Sequence, residues 1–317
     1  MDTVGIVGLG VMGSNCAKKL MESGVPVAGY DPYPPAVKRA SEAGVAVCGS
    51  PAELAGKAGV ILMFVPGPAD TEKVVLGEGG IASGAPEGTV VVNMSTVDPG
   101  VNIRMGEALA PKGIDFVDAP VMGSPSGVGS WAFALGGSDE ALAKIKDVLL
   151  VLSGSEEKLF HIGPLGHGNK LKLLNNMMLG AIDACAAETM ALAEHMGLSQ
   201  KTLIDVAVAA NARVLSSAYK EIGTRIAEGR YDEPTFTVDM LIKDNRLCLD
   251  MAREYGAPLI LGAAVDYVHR MVSVQGYGAK DHAVSWKAVA KNWKAKSLRA
   301  VSQGGYAAKR GLSVFSG

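Results

Sequence analysis

The stretch that most constrains the fold lies at the start of the chain. Residues 3–7, TVGIV, are a short β-rich apolar run that feeds into Gly8, Leu9, Gly10, Val11, Met12 and Gly13, and a helical pattern, SNCAKKLMESG, follows to Gly24. In the order strand, G-x-G-x-x-G, helix, each glycine has its own reason. The first permits the tight turn, the second lets backbone approach a pyrophosphate, and the third packs helix on strand, while the helix N-terminus offers amides to the anion. The competing reading is an ordinary glycine-rich turn.

The alternation continues. VPVAGYD is a second strand ending at Asp31. An acidic residue about 20 positions beyond such glycines is placed to accept from ribose hydroxyls and to repel a 2′-phosphate, which favours NAD over NADP. Lys38 and Arg39 fall on the next helix and weaken that preference without reversing it; Asp31 could also simply open a turn before Pro32 and Pro34. The pattern then predicts a helix over 35–43, a strand at 45–48, a helix over 51–57 and an apolar strand, VILMFV, at 60–65. Pro66 ends that strand, and TVVVNMS ends at Ser95 and Thr96. Strands alternating with helices predict a doubly wound parallel sheet, with cofactor at its carboxyl edge.

From Asp115 the chain reads FVDAPVMGSPSGVGSWAFALGG, strand, glycine-rich loop and strand. The loop's amides, with the hydroxyls of Ser124, Ser126 and Ser130, suit an oxyanion on a substrate; a plain hairpin connection is the equal alternative. After a helix over 138–151 and a strand near 157–162 the alternation stops. From Asn169 onward the pattern is helical, with starts marked by Ser199, Thr237 and Pro258. The expected divisions are a dinucleotide-binding domain, 1–165, an all-α substrate and oligomerisation domain, 166–290, and a basic tail, 291–317.

Where the divisions meet, GPLGHGNKLKLLNNMM runs from Gly163 to Met178. A lysine among these leucines lies on a helix, 169–196, that is apolar nearly all round and is therefore expected to be buried. Burying an ammonium without a purpose is costly. One of Lys170 and Lys172 is thus expected to be the proton-transfer group of a dehydrogenase.

Composition narrows the partners. With 317 residues, 48% hydrophobic content and a formal charge of -2, the chain supports two cores and gives no reason to expect nucleic acid or an anionic membrane. After Asp281 there is no acidic residue, while Lys287, Lys291, Lys294, Lys296, Arg299, Lys309 and Arg310 follow. A solvated tail is expected there, against an arm docking on an acidic subunit or polyanion. Cys16, Cys48, Cys185 and Cys248 form no CxxC pair, so neither a metal site nor a disulfide is expected, and reduced thiols fit a cytoplasmic protein. Asp2 and the early glycines argue against a signal peptide. The apolar run after Asn176 is broken by Asp183 and Glu188, short of a membrane span.

Six motifs stand in order: GIVGLGVMG, NMSTVDP, DAPVMG, GHGNKLKLLNN, IKD and YGAKDHAVS. Together they resemble the β-hydroxyacid dehydrogenase family, the 3-hydroxyisobutyrate dehydrogenase-like enzymes, over roughly residues 3–290. The resemblance implies a Rossmann domain followed by an all-helical domain, a dimer or tetramer, and hydride transfer between NAD and a 3-hydroxy acid or the corresponding aldehyde acid. The family's G-x-G-x-x-x-K-x-x-N-N, laid on Gly166 and Gly168, selects Lys172, followed by Asn175 and Asn176. Helical spacing agrees, since Lys172 and Asn176 share a face, whereas the same offsets from Lys170 reach Leu173 and Leu174. Lys170 is then a surface residue. The resemblance makes Lys172 general base in oxidation and general acid in reduction, with its pKa lowered by the leucines, and gives Asn176 the substrate oxygen. It assigns Gly8 to Gly13, Val65, Pro66, Thr96 and Lys243 to the cofactor, although Lys243 could be an exposed lysine on an amphipathic helix.

The substrate loop departs from the family's DAPVSGG and GAxxGTL. Met122 stands where the family has serine, Ser124 where it has the second glycine, and Ser130-Trp131-Ala132-Phe133 replaces xGTL. With Met122, Gly123, Ser124 and Asn176 at the substrate and bulk arriving at Trp131, a sulfonate or a larger hydroxy acid is favoured over the usual small carboxylate. Two other functions fit the same fold. Imine reduction is opposed by a lysine at the catalytic position, and a catalytically silent dinucleotide-binding interaction module is opposed by the Lys172 and Asn176 pair.

Overall fold

The apolar runs of the first half form the strands of one sheet in the computed structural model, which describes residues 2–291. These are β1 (Val4–Val7), β2 (Val27–Tyr30), β3 (Ala46–Val47), β4 (Val60–Met63), β5 (Val90–Asn93), β6 (Asp115–Asp118), β7 (Val121–Met122), β8 (Ala132–Gly136) and β9 (Leu159–Gly163). Their order is β3-β2-β1-β4-β5-β6-β8-β7, with β9 beside β8. The strands β1 to β6 pair in parallel, and β8 runs antiparallel to β6 and β7. Because helices cover both faces, β4 and β5 are buried almost throughout, which is why VILM and VVVN read as continuous apolar runs. One core includes Leu20, Leu62, Phe133 and Leu149; the other includes Leu54, Ile61, Met63 and Leu109.

The direction of winding reverses between β1 and β4, which opens a crevice at the carboxyl ends of the strands. There the ladders stop two residues short of the sequence expectation. The Phe64 amide still donates to the Val7 carbonyl at 2.8 Å, and the Val65 amide then donates instead to the Ser95 hydroxyl at 2.8 Å. The first helix, Val11–Glu22, also starts earlier than the SNCAKK pattern, because the glycine turn already carries its first turn.

The second half is helical. A central helix of 29 residues, His167–His195, is surrounded by Gln200–Ala209, Ser217–Glu228, Val238–Glu254, Ile260–Val272 and Ser285–Lys291. The Ser199 and Thr237 side chains cap their helices by accepting from Thr202 and Met240 amides. The helix after Pro258 begins two residues later than expected, with Leu259 at its cap.

The expectation that the central helix is apolar and enclosed nearly all round is corrected in two ways. One side is open, with Leu174 55% and Met178 59% exposed. The enclosed side is partly polar. The Asp183 carboxylate, 1% exposed, lies 2.8 Å from His269 Nε2 and 2.7 Å from His282 Nδ1, which joins three separate segments in the core. Burial alone would raise the Asp183 carboxyl, but the His282 and His269 imidazoles hold it well below the usual range.

Among the described residues no helix is long and apolar enough to cross a membrane. Of the basic tail, residues 292–317 lie outside the described residues.

Candidate functional site

The glycine turn follows β1 directly. A Cβ built at Gly8, where φ is +92°, would sit 2.0 Å from the Phe64 carbonyl oxygen, and one at Gly13 would sit 1.8 Å from that of Gly8. At Gly10 a Cβ meets nothing within 4 Å. Two glycines are therefore required by the chain's own backbone, and the third faces open space. Gly10 caps the following helix without any side-chain hydrogen bond, so the first-turn amides have no side-chain acceptor. That arrangement fits the pyrophosphate of a dinucleotide.

The side chains of the turn divide in the same way, since Leu9 is fully buried and Val11 is exposed. The Leu9 amide donates to Asp31 Oδ2 at 2.7 Å, while Asp31 Oδ1 accepts from the Tyr33 amide at 2.8 Å. One carboxylate thus opens the turn before Pro34 and also fastens the glycine loop to the end of β2. Lys38 and Arg39 are exposed on the next helix, with Lys38 beside Glu42 at 3.9 Å.

Lys243, on the Val238–Glu254 helix, reaches across to the same strand ends. Its Nζ donates to the Thr96 carbonyl at 2.8 Å and the Pro66 carbonyl at 3.2 Å, and lies 2.9 Å from Asp244 Oδ1. The structure brings Pro66, Thr96 and Lys243 together, and the exposed-lysine alternative for Lys243 fails. The Thr96 contact is through its backbone carbonyl.

The start of the central helix is fixed by Asp118, a fully buried carboxylate at the end of β6. Its Oδ1 accepts from the Gly166 amide at 2.7 Å and its Oδ2 from the Asn169 amide at 2.6 Å, while Asn169 Oδ1 accepts from the Val97 amide at 2.9 Å. Burial pushes the Asp118 carboxyl up to about 6, against the pull of the Asn169 and Gly166 amides. Gly168 lies so close to β8 that a Cβ there would be 2.2 Å from the Ala134 carbonyl oxygen.

One turn later, Lys172 Nζ donates to the Val121 carbonyl at 2.8 Å. As a whole residue Lys172 is half-buried, while its ammonium is withdrawn from water. Desolvation pulls its pKa down, Asp244 opposes, and Lys243 adds to the lowering. Asn176, 3% exposed, donates from Nδ2 to Asp244 Oδ2 at 2.6 Å and accepts at Oδ1 from Asn175 Nδ2 at 3.0 Å. Lys170, near the helix start, is half-buried, its Nζ 5.6 Å from the centre of the Tyr255 ring.

In the substrate loop, Met122 is half-buried and Gly123 and Ser124 are exposed. Trp131 does not add bulk to the cleft wall as the sequence suggested. It is fully buried, between Phe64 and Phe133 at centroid distances of 6.4 and 6.3 Å, and its Nε1 donates to the Ser124 carbonyl at 2.7 Å. A Cβ at Gly123 would lie 2.6 Å from its ring. The amides of Gly127, Gly129, Ser130 and Trp131 are spent on the carbonyls of Ser124, Leu152 and Gly127. Those four amides are therefore not offered to an oxyanion.

Three residues that gather these groups received no role from sequence: Asp118, Asn169 and Asp244. Asp118 carried a signal, a carboxylate flanked by Val117 and Ala119, and Asp244 stood in the IKD motif, but their partners lie 48 to 68 positions away.

The chain matches the sequence profile of the NAD-binding domain of 6-phosphogluconate dehydrogenase over residues 3–163, and that of the NAD-binding domain of NADP-dependent 3-hydroxyisobutyrate dehydrogenase over 166–289. It is 34% identical to an L-threonate dehydrogenase of Cupriavidus necator, over 88% of this chain and 93% of that protein. It is 31% identical to a 2-(hydroxymethyl)glutarate dehydrogenase of Eubacterium barkeri, over 95% and 98%. The crystal structure of a 3-hydroxyisobutyrate dehydrogenase from Salmonella typhimurium superposes with a TM-score of 0.82 at 28% identity, over 90% of this chain and 99% of that one. With both halves matched and the cleft assembled as described, the chain belongs to the β-hydroxyacid dehydrogenase family, nicotinamide-dinucleotide-dependent dehydrogenases that act on hydroxyl groups.

Proposed function

We propose that this enzyme oxidises a 3-hydroxy acid, or reduces the corresponding aldehyde acid, with Lys172 as the proton-transfer group. The observation that carries the reading is a desolvated Lys172 Nζ held by a 2.8 Å hydrogen bond to the Val121 carbonyl, one helical turn from a buried Asn176. Bound dinucleotide supplies the hydride acceptor or donor. As the carbinol C–H bond breaks, neutral Lys172 takes the hydroxyl proton, and in reduction its ammonium returns that proton to the carbonyl oxygen. Desolvation, which lowers the Lys172 pKa, keeps more of the neutral amine available near neutral pH. Asn176 has one amide hydrogen pinned by Asp244 and offers the other to the reacting oxygen. The substrate's acid group sits against Met122, Gly123 and Ser124.

The cofactor is NAD in preference to NADP, because Asp31 places a carboxylate at the end of β2 with no basic side chain fastened beside it. With Trp131 withdrawn from the cleft wall, the specificity change falls on Met122 and Ser124. The hydroxyl of Ser124, 3.2 Å from that of Ser126, favours an acid group with more acceptor oxygens, such as a sulfonate, or a hydroxylated larger acid.

A second copy of this chain covers the open stripe of the central helix, where Leu174, Met178, Leu192 and Met196 recur at helical spacing and are all exposed. The four unpaired cysteines suit a reducing cytoplasmic compartment.

The test is NADH formation across a panel of 3-hydroxycarboxylates, sugar acids and hydroxysulfonates. Turnover of at least one class with NAD is expected. Tight NADH binding with no turnover across the panel would instead support the non-catalytic module.

A further inference from the structure

We propose that Asp244 is a positioning residue for the proton-transfer pair: its buried carboxylate fixes the Asn176 amide and, through Lys243, ties the helical domain to the strand ends of the dinucleotide domain. The proposal rests on the reading of Lys172 as proton-transfer group and extends it to a residue that touches neither the reacting atoms nor the cofactor.

The geometry is a chain of contacts. Asp244 is 1% exposed, and its Oδ2 accepts from Asn176 Nδ2 at 2.6 Å. An ionised carboxylate only accepts hydrogen bonds, so Asn176 must present Nδ2 to it, and the amide cannot turn over. Asp244 Oδ1 lies 2.9 Å from Lys243 Nζ, whose remaining contacts are the Thr96 and Pro66 carbonyls. The Lys243 contact is an ion pair without good hydrogen-bond alignment, and it leaves Oδ1 with no aligned donor. A buried carboxylate in that state is costly unless it has charges to satisfy.

The charged groups around Lys172 show what those are. From the Val238–Glu254 helix, Asp244 and Lys243 face it. From the β6 and β7 segment comes only the Val121 carbonyl, because Asp118 is spent on the Gly166 and Asn169 amides. On its own helix, Lys170 is turned to Tyr255. Among the described residues, Asp244 is therefore the anion set against two ammonium groups. Remove its charge, and Lys172 keeps the neutral Val121 carbonyl and a like-charged neighbour, so the protonated form loses its anionic support.

The experiment compares wild type, Asp244→Asn, Asn176→Ala and the double variant as full-length enzymes, by kcat and kcat/KM against pH with the best substrate of the panel. Asparagine keeps the shape and can still accept from Asn176, so the charge is the main thing removed. In Asp244→Asn the limb of the kcat/KM profile that reports Lys172 moves to lower pH by about one unit. The plateau kcat falls about tenfold or more, and in the Asn176→Ala background the same change costs little further, as expected of two residues acting as one unit.

An unmoved limb overturns the proposal, even if activity falls, because a merely structural residue would lower kcat without shifting the profile. Full additivity of the two variants overturns it as well. Lys172→Ala, measured alongside, separates this proposal from the reading beneath it. An inactive Lys172→Ala with an unmoved limb in Asp244→Asn defeats this proposal alone, whereas an active Lys172→Ala defeats both.

Discussion

Gly168→Ala tests whether Lys172, the proposed proton-transfer group, is placed by the close seating of its helix. The added Cβ would stand 2.2 Å from the Ala134 carbonyl oxygen and 2.9 Å from that of Asp118. Both are backbone atoms within the sheet and cannot rotate away. Restoring an ordinary contact requires the helix start to retreat by about 1 Å. Overpacking of this kind costs about 1–3 kcal/mol, which lowers Tm by several degrees. In a roomy helical site the same substitution would stabilise by about 1 kcal/mol, so the sign of the shift is itself informative. Lys172 lies about 6 Å further along the same helix, so the retreat carries into the ammonium and its 2.8 Å bond to Val121. A displacement of about 1 Å at a reacting group costs on the order of a hundredfold in rate. The glycine turn at 8–13 is untouched, so NADH affinity, followed by fluorescence titration, stays at the wild-type value. A variant with wild-type Tm and kcat would refute the reasoning, because the helix would then have room that the structure denies it.

Three further outcomes are expected. The Asp118 carboxyl has its proton held more tightly in the folded protein, at about 6 against an ordinary 3.8, so its stabilising contribution is full below about pH 4 and lost as pH rises through about 6. Urea midpoints from pH 4 to 7 should show wild type losing about 3 kcal/mol relative to Asp118→Asn across that window; parallel curves would contradict the buried titration. Asp183→Asn should destabilise by about 3–5 kcal/mol, since it strips the counter-charge from the enclosed His282 imidazole and alters the acceptor that His269 also contacts. The His282 pKa is raised by Asp183 against the opposing pull of burial, so its contribution is lost above the raised value, while that of Asp183 is lost as pH falls through the range below 3.8. The difference between variant and wild type should thus be greatest between about pH 4 and 6.5, and a pH-independent gap would count against the charged cluster. Asp31→Asn keeps groups able to accept from Leu9 but removes the charge, and should reduce the ratio of kcat/KM for NAD to that for NADP by about tenfold; an unchanged ratio would remove Asp31 from the discrimination.

The parts of this molecule legible in its sequence are those whose causes are local. The glycine turn is dictated by contacts between Gly8, Gly13 and the adjoining strands, the strands by runs such as VILM, and the helix starts at Ser199 and Thr237 by their own side chains. The strand end at Met63 falls two residues short of the expectation because apolarity continues through Phe64 and Val65, past the point where Val65 exchanges its ladder for Ser95. Trp131 was read as bulk in the cleft because its loop is there, whereas the side chain turns inward to hold the loop from beneath. The carboxylates that assemble the site were unread for the same reason. Asp118 meets Asn169 across 51 positions, Asp244 meets Asn176 across 68, and Lys243 meets Thr96 across 147. No periodicity carries such pairings; they exist only once the central helix is laid across the ends of β6 and β8.

The most direct test of the central claim is the single-turnover rate of hydride transfer in Lys172→Ala, with cofactor affinity and Tm measured on the same preparation. The loss of the proton-transfer group should slow the step by about a hundredfold to ten-thousandfold, while NADH binding and folding remain as in wild type. Hydride transfer at the wild-type rate in a folded Lys172→Ala enzyme would contradict the claim and return the reaction's proton to some other group.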